Sequence, residues 1–445
     1  MTSTRTSPLV ESATTNDRPS ESDLPATFRA LRHRNYRLYF AGQVVSLTGS
    51  WVQTAALTWL AYTLTSGLRL PAAVTAAQVV PTFLLGAWSG SLADRLPRRS
   101  VIFLAQAALL LLAMLLGGMV AFGFVSPLTL LIASFLIGVV NAVDTPARLS
   151  FVIDMVGRDD LMNAVALNSL VFNVARAVGP ALGAMAIPLV GVAGCFILNG
   201  LSFAAVLVAL SAMRLPERGE TLSRAKQVRP TSGFRHLARR PALLLMLVLA
   251  GAMAFFGWPV LSLLPALSDV VLGAGSQGHG WMLSAIGIGA LTGALIVATF
   301  GKPQRQALLI WLGVVVGAVS LAGLARSSTL PAALGCCAVA GCGLILFFAT
   351  AQATMQLGAD EHNRGQIMGI WLMVLAGAQP AGNLVAGHLA DTLGVPFALM
   401  TLSIGIATSA TLIGVVGLGL KRRAHSRVRV RGEVPGTHPE PAAIG

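Results

Sequence analysis

Twelve long apolar runs fill this chain, at about 38–64, 71–93, 100–122, 127–147, 163–188, 191–213, 242–268, 280–300, 306–325, 331–356, 364–390 and 395–420. About 20 mostly apolar residues form a membrane-spanning helix, because roughly 30 Å of hydrocarbon is crossed at 1.5 Å per residue. Barrel strands would show short alternating segments, and these runs do not alternate. Only 11% of the residues are charged, against roughly 25% in a soluble domain. The expected fold is an all-α membrane protein with twelve transmembrane helices.

The longest interval inside the array, 214–241, separates two groups of six runs. The expected organisation is a disordered cytoplasmic tail over 1–27, an N-terminal six-helix half over 28–213, a cytoplasmic linker over 214–241, a C-terminal six-helix half over 242–420 and a cytoplasmic tail over 421–445. GRDDLMNAVALNSLVFNVARAVGPALGA, from Gly157, aligns with GADEHNRGQIMGIWLMVLAGAQPAGNLVAG, from Gly358. Each begins with glycine and acids and carries a mid-helix proline, Pro180 or Pro380, beside small residues. Two such repeats predict pseudo-symmetric halves with substrate held between them. Gly179, Pro180, Gly183 and Pro380 are candidate bending or sliding points, with close helix packing as the alternative.

The net charge of +14 falls in every second loop, as the positive-inside rule expects of a threaded polytopic chain. Both termini are therefore expected in the cytoplasm, in a multi-pass inner-membrane protein. No basic stripe with interleaved aromatics lies outside this alternation, which argues against a nucleic-acid partner. Cys195, Cys336, Cys337 and Cys342 fall within apolar runs and read as packing residues. No metal site and no cofactor is expected. The first apolar run is too long for a cleavable signal peptide.

GSLADRLPRRS, residues 90–100, places Gly90, Leu92, Ala93, Asp94, Arg95, Arg98 and Arg99 between the second and third runs. This stretch resembles the G-x-L-a-D-r-x-G-r-r signature of the major facilitator superfamily, with Pro97 where the pattern has glycine. LRHRNYRLYFAGQVVSLTGSWVQTAALTWLAYTLTSG, PARLSFVIDMVGRDDLMNAVALNSLVFNVARAVGPALGA and RGQIMGIWLMVLAGAQPAGNLVAGHLADTLG are similar to the drug and siderophore exporter subgroup that includes the enterobactin exporter. The resemblance spans about 30–420. It implies that the first, fourth, seventh and tenth helices line the cavity, and that Asp94 latches the cytoplasmic side. Helix electrostatics point the same way, since a carboxylate is favoured at the N-terminus of the eleventh helix near Arg364. A solvated loop acid is the alternative.

An ionisable residue deep in a spanning helix costs at least about 2.5 kcal/mol and is a functional candidate by default. Arg176 is such a residue, read as a substrate or coupling cation or as a structural one. Asp144 and Arg148, one turn apart near the inner end of the fourth run, can pair as a gate. With Gly90, Asp94, Arg95, Arg98 and Arg364 they form the candidate cytoplasmic gate. Gln43, Trp51, Gln53, Asn141, Asn173, Gln352 and Gln379 join Arg176 as substrate or coupling candidates, with Thr54, Trp59, Asn168, Trp258, Gln356, Trp371 and Asn383 as further cavity residues. Asp159 and Asp160 are expected to be solvated or to cap the fifth helix, and no buried midplane carboxylate is expected.

These features predict a monomeric secondary active exporter of a small amphipathic drug, siderophore or secondary metabolite. It would work by alternating access with protons as coupling ion and lipid as its surroundings. A proton-coupled nutrient importer and a non-transporting solute sensor are the alternatives. GxxxxGK[ST] is absent, which disfavours an ATP-driven pump. An intramembrane hydrolase is disfavoured because Ser89 and His388 fall on opposite sides.

Overall fold

The computed structural model describes residues 26–95, 97–157, 159–214, 237, 240–359 and 364–432, without the side chains of 26–27, 83, 86–95, 364–365 and 420–432. Its helices are α1 (Arg34–Thr65), α2 (Arg69–Arg95), α3 (Arg98–Ala121), α4 (Pro127–Val156), a 52-residue stretch Leu161–Ala212, α7 (Pro241–Val271), α8 (Gly275–Phe300), α9 (Gln306–Ala325), α10 (Leu330–Gly358), α11 (Arg364–Leu393) and α12 (Val395–Gly432). Among the described residues nine of these stretches are long and apolar enough to cross a membrane, with Leu161–Ala212 counted once.

That long stretch is two helices. Gly191 has φ 69° and ψ 175°, a backbone region open only to glycine, and it divides α5 (161–190) from α6 (192–212). Tyr36 donates to the Ala164 carbonyl at 2.9 Å, and Gly183 lies against Val52 and Ala55, so α5 runs parallel to α1. Gly49 lies against Asn199 and Ser202, and Gly42 against Val206, so α6 runs back antiparallel. α7 is interrupted at Trp258 and Pro259 and ends in a π turn over Leu267–Val271. Pro259 and Pro265 lack the amide hydrogens that an uninterrupted ladder requires. α4 opens with a capping box, in which Ser126 and Thr129 bond each other's backbone N–H at 3.2 and 2.8 Å.

Equivalent packing repeats in the two halves. α5 lies between α1 and α8: Gly179 meets Thr48 and Trp51, while Gly280 of α8 meets Pro180 and Ala184. α11 lies between α7 and α2: Gly382 meets Phe255, and Gly387 meets Leu68 and Ala72. Gly138 seats α4 on α2 at Gln78, as Gly289 and Gly341 seat α8 and α10 together. Pro180 and Pro380 both lie within continuous helix, and Gly191 is the one non-helical position within Leu161–Ala212. In this state Gly179, Pro180, Gly183 and Pro380 serve close packing, because neighbouring helices occupy the space beside the two glycines and both prolines are buried.

The C-terminal half closes around one large apolar cluster that includes Trp371, 1% exposed. The described N-terminal half divides its apolar packing among smaller clusters, because polar side chains occupy the space between them. Leu104, Leu115, Leu189 and Val208 are large apolar side chains left exposed on the bundle, as a hydrocarbon solvent permits.

Candidate functional site: the seam between the halves and a polar chamber

The bundle has a basic end, where Arg98 and Arg99 open α3, and a distal end carrying the α1–α2, α7–α8 and α11–α12 turns. At the distal end the halves are tied by polar contacts. Asp391 of α11 accepts from the backbone N–H of Leu68 at 2.6 Å and of Arg69 at 3.2 Å, and its carboxylate lies 3.3 Å from Arg69 Nε. A carboxylate from one half thus caps the first turn of α2 in the other, where free N–H groups and the helix dipole favour negative charge. Tyr62 donates to Asp269 at 2.9 Å. His279, fully buried, lies 2.9 Å from Thr58 Oγ1 and stacks on Trp59 at 6.2 Å. Further along, Gly287 brings α8 against the Arg176 carbonyl and Ala177.

Where this seam ends, α5 presents Arg176, 15 residues into its helix and so about 22 Å from its start. Arg176 Nη2 donates to Asn173 Oδ1 at 3.0 Å, and the guanidinium lies 5.9 Å from the Phe172 ring centroid. Its Nε is buried without a hydrogen-bond partner, and none of the ion pairs among the described residues includes it. Trp51, Trp258, Leu261, Leu283, Ile286 and Leu344 surround it in a small apolar pocket contributed by both halves. A larger pocket of about 360 Å³ adjoins on the side of the basic end. Tyr39, Gln43, Arg148, Asn168, Phe172 and Asn173 are among its lining residues, all in the basic-end halves of α1, α4 and α5. Its size falls within the range of small-molecule sites, about 300–1,000 Å³.

Asp144 is the charged residue most changed by the fold. The sequence placed it near the end of a run closing at 147, but α4 continues to Val156 and leaves it about 18 Å from that terminus. Its side chain is 0% exposed, pairs with Arg148 Nε at 2.8 Å and accepts from Gln106 at 3.2 Å. Arg148 also donates to Gln43 Oε1 at 3.0 Å. Asp144 Oδ1 has no partner. The expectation of no deeply buried carboxylate is corrected here. The contacts of this pair reach α1 and α3 of its own half. Beside it lies a polar chamber of about 190 Å³, lined by Ser46, Ser50, Gln53, Gln78, Asn141 and Asn199 among others. Asn199 donates to Gln53 at 2.7 Å across this space.

At the basic end, Arg98 bonds Asp154 at 3.0 Å and the Ser150 carbonyl at 3.2 Å, which joins α3 to α4 and not one half to the other. Asp160 is neither solvated nor a helix cap. Its side chain, 1% exposed, is clasped by Arg29 at 2.6 Å, Arg32 at 2.9 Å and His33 at 2.7 Å. The His33 hydrogen bond, reinforced by the two arginines, holds its carboxyl down at about 2. The side chains of Gly90, Asp94, Arg95 and Arg364 lie outside the described residues; their backbones are helical.

The expected cavity residues divide among three places. Arg176 and Trp51 meet at the seam; Gln43 and Asn173 line the larger pocket; Gln53, Asn141 and again Trp51 line the chamber inside the N-terminal half. Gln352 is exposed, on the α10 face that runs from Gly341 towards the basic end, and Gln379 is half-buried; neither lines these pockets. Trp371 and Asn383 are core residues, and Trp59 belongs to the distal seam. His279, Tyr62 and Gln106 were missed, because an isolated polar residue in an apolar run carries no signal of what faces it.

A family model described as transmembrane secretion effector matches residues 25–429. The staphyloferrin A transporter of Staphylococcus aureus is 22% identical, over 82% of this chain and 93% of that protein. The multidrug efflux pump Tap of Mycolicibacterium fortuitum is 25% identical, over 84% and 92%. The enterobactin exporter EntS of Shigella flexneri is 28% identical, over 75% and 79%. The fold is that of a bacterial homologue of the human lysosomal transporter Spinster, crystallised inward-facing and unoccupied, with TM-score 0.70, 13% identity and coverage of 85% and 96%. It is also that of a bacterial homologue of the iron transporter ferroportin, inward-facing, with TM-score 0.66, 18% identity and coverage of 85% and 98%.

Proposed function

The chain belongs to the transmembrane secretion effector family of the major facilitator superfamily and is a multi-pass membrane transporter; on that premise we propose that it exports a small amphipathic molecule, by alternating access and in exchange for protons. The observation that carries this reading is the asymmetry of the seam. Asp391 caps α2 at the distal end, while the 360 Å³ pocket lies in the basic-end half. With the basic end cytoplasmic, as the positive-inside rule indicates, this is a state that loads from the cytoplasm. The efflux and siderophore relatives support the outward direction. Substrate lies among Trp51, Gln43, Phe172, Asn173 and Arg176.

α2 and α11 are antiparallel neighbours, so each offers an N-terminus beside the other's later turns. Asp391 occupies the α2 start in this state, and we assign Asp94 the reciprocal role at the α11 start, near Arg364, once the basic end closes. Only one latch is engaged at a time. Asp144 is assigned as the proton carrier, because it is a buried carboxylate beside a polar chamber large enough for water.

Everted vesicles from a strain deleted for its own efflux systems, screened against antibiotics and siderophores, test this. Accumulation that requires a proton gradient is expected. Uptake into intact cells would identify an importer, and an absence of flux for every compound would leave a solute sensor. Asp94→Asn is expected to slow turnover more than binding, and an unaltered rate would remove the latch.

A further inference from the structure

We propose that Arg176 is an anion subsite and that the substrate is an amphipathic anion, with its carboxylate, phenolate or sulfonate on the guanidinium and its apolar body in the adjoining pocket. This rests on the transporter reading and gives its substrate a charge.

The first ground is charge balance. The two half-buried cations Arg148 and Arg176 are not equivalent: Arg148 is neutralised by Asp144 at 2.8 Å, whereas Arg176 has no carboxylate within ion-pair distance among the described residues. Its hydrogen bond to Asn173 satisfies one guanidinium nitrogen, and the buried Nε is left without a partner. A guanidinium is a rigid fork of donors suited to a planar, two-oxygen acceptor. An unpaired one at this depth in a spanning helix is expensive, and a ligand that brings the counter-charge offsets that cost.

The second ground is the shape and chemistry of the surroundings. Phe172 and Asn173 sit on the wall of the 360 Å³ pocket, while Trp51 and Trp258 stand on the other side of Arg176. Leu47, Leu149, Val152 and Val165 supply the apolar surface of the larger pocket. A ligand body occupying it reaches Arg176 by way of Phe172 and Asn173. Arg148 also borders this pocket, but Asp144 already holds its charge, so the local field along the pocket is that of a single cation. A cationic substrate would be repelled by Arg176 and would find no free carboxylate in either pocket. The small apolar pocket is the place where α1, α5, α7, α8 and α10 meet, so an anion bound there bridges the halves at the inner limit of the distal seam.

The test is equilibrium binding of N-dansyl-leucine and of its neutral amide, N-dansyl-leucinamide, to the purified full chain in detergent, followed by tryptophan-sensitised dansyl emission. The acid is expected to bind about 10- to 100-fold more tightly, the span of a hydrogen bond to a charged partner. Arg176→Gln is expected to equalise the two ligands by weakening the acid alone. Arg176→Lys is expected to keep the preference for the acid at reduced size, which shows that the variants fold and that charge is the determinant. Equal binding of the two ligands by the natural chain, or an undiminished preference in Arg176→Gln, overturns the proposal. Because the readout is binding, a preference that persists while the everted-vesicle screen finds flux for no compound refutes export and leaves the anion subsite standing.

Discussion

Replacing Asp391 by asparagine should open the distal end. The carboxylate accepts from two backbone N–H groups of α2, at 2.6 and 3.2 Å, and approaches Arg69 Nε at 3.3 Å. Hydrogen bonds to a charged acceptor are roughly twice as strong as neutral ones, so loss of charge removes about 1 kcal/mol from each of the two. The α2 dipole contributes about 0.5 kcal/mol more. The Arg69 side chain is 64% exposed, so its ion pair is screened and adds little. The sum, about 2 to 2.5 kcal/mol, corresponds to a shift of roughly 30- to 70-fold away from the distally closed state. Spin labels at Thr63 and Phe397, exposed residues of opposite halves, on a background with the four cysteines replaced, report the separation by electron–electron double resonance. A longer-distance population in Asp391→Asn is expected. An unchanged distance distribution would show that the cap does not hold the halves together.

The same labels should report an open distal end in Gly287→Val, because a side chain there would meet the backbone of Arg176 and Ala177; a closed distribution would mean that α5 and α8 yield without separating. Asp144→Asn leaves the half-buried Arg148 without its counter-charge and is expected to cost up to about 3 kcal/mol. The double variant Asp144→Leu with Arg148→Met should unfold at a higher temperature than that single variant while lacking proton-driven flux, and a double variant no more stable would count against the pair. Asp160, with its carboxyl lowered to about 2 in the fold, stabilises the native state fully above the ordinary carboxylate value of about 3.9 and loses that contribution as pH falls towards 2. Thermal unfolding should therefore show an acid loss between about pH 4 and pH 2 that is absent in Asp160→Asn; identical profiles would exclude the clasp of Arg29, Arg32 and His33 as its origin.

The helical architecture and the family were legible because hydrocarbon imposes its demand locally. Each span must be apolar over its own length, and each loop carries its own charge, so neither depends on what packs against it. Arg176 was legible for the same reason, as a charge where charge is costly. The end of α4 was not, since Leu149, Phe151 and Val152 continue the apolar pattern past the polar interruption at Asp144 and Arg148. That extension moved Asp144 from the edge of a span to its interior.

A carboxylate capping a helix across the halves was expected at Asp94, and the fold places one on the same helix pair at the opposite end, Asp391 on α2. Sequence alone determined that this chain makes long apolar helices and that they suit a bilayer. Which acids and cations meet was decided only by tertiary structure, because Asp391 and Leu68 stand 323 residues apart, and a contact of that separation exists only when glycine-lined helices such as α2 and α11 pack closely enough for side chain and backbone to touch.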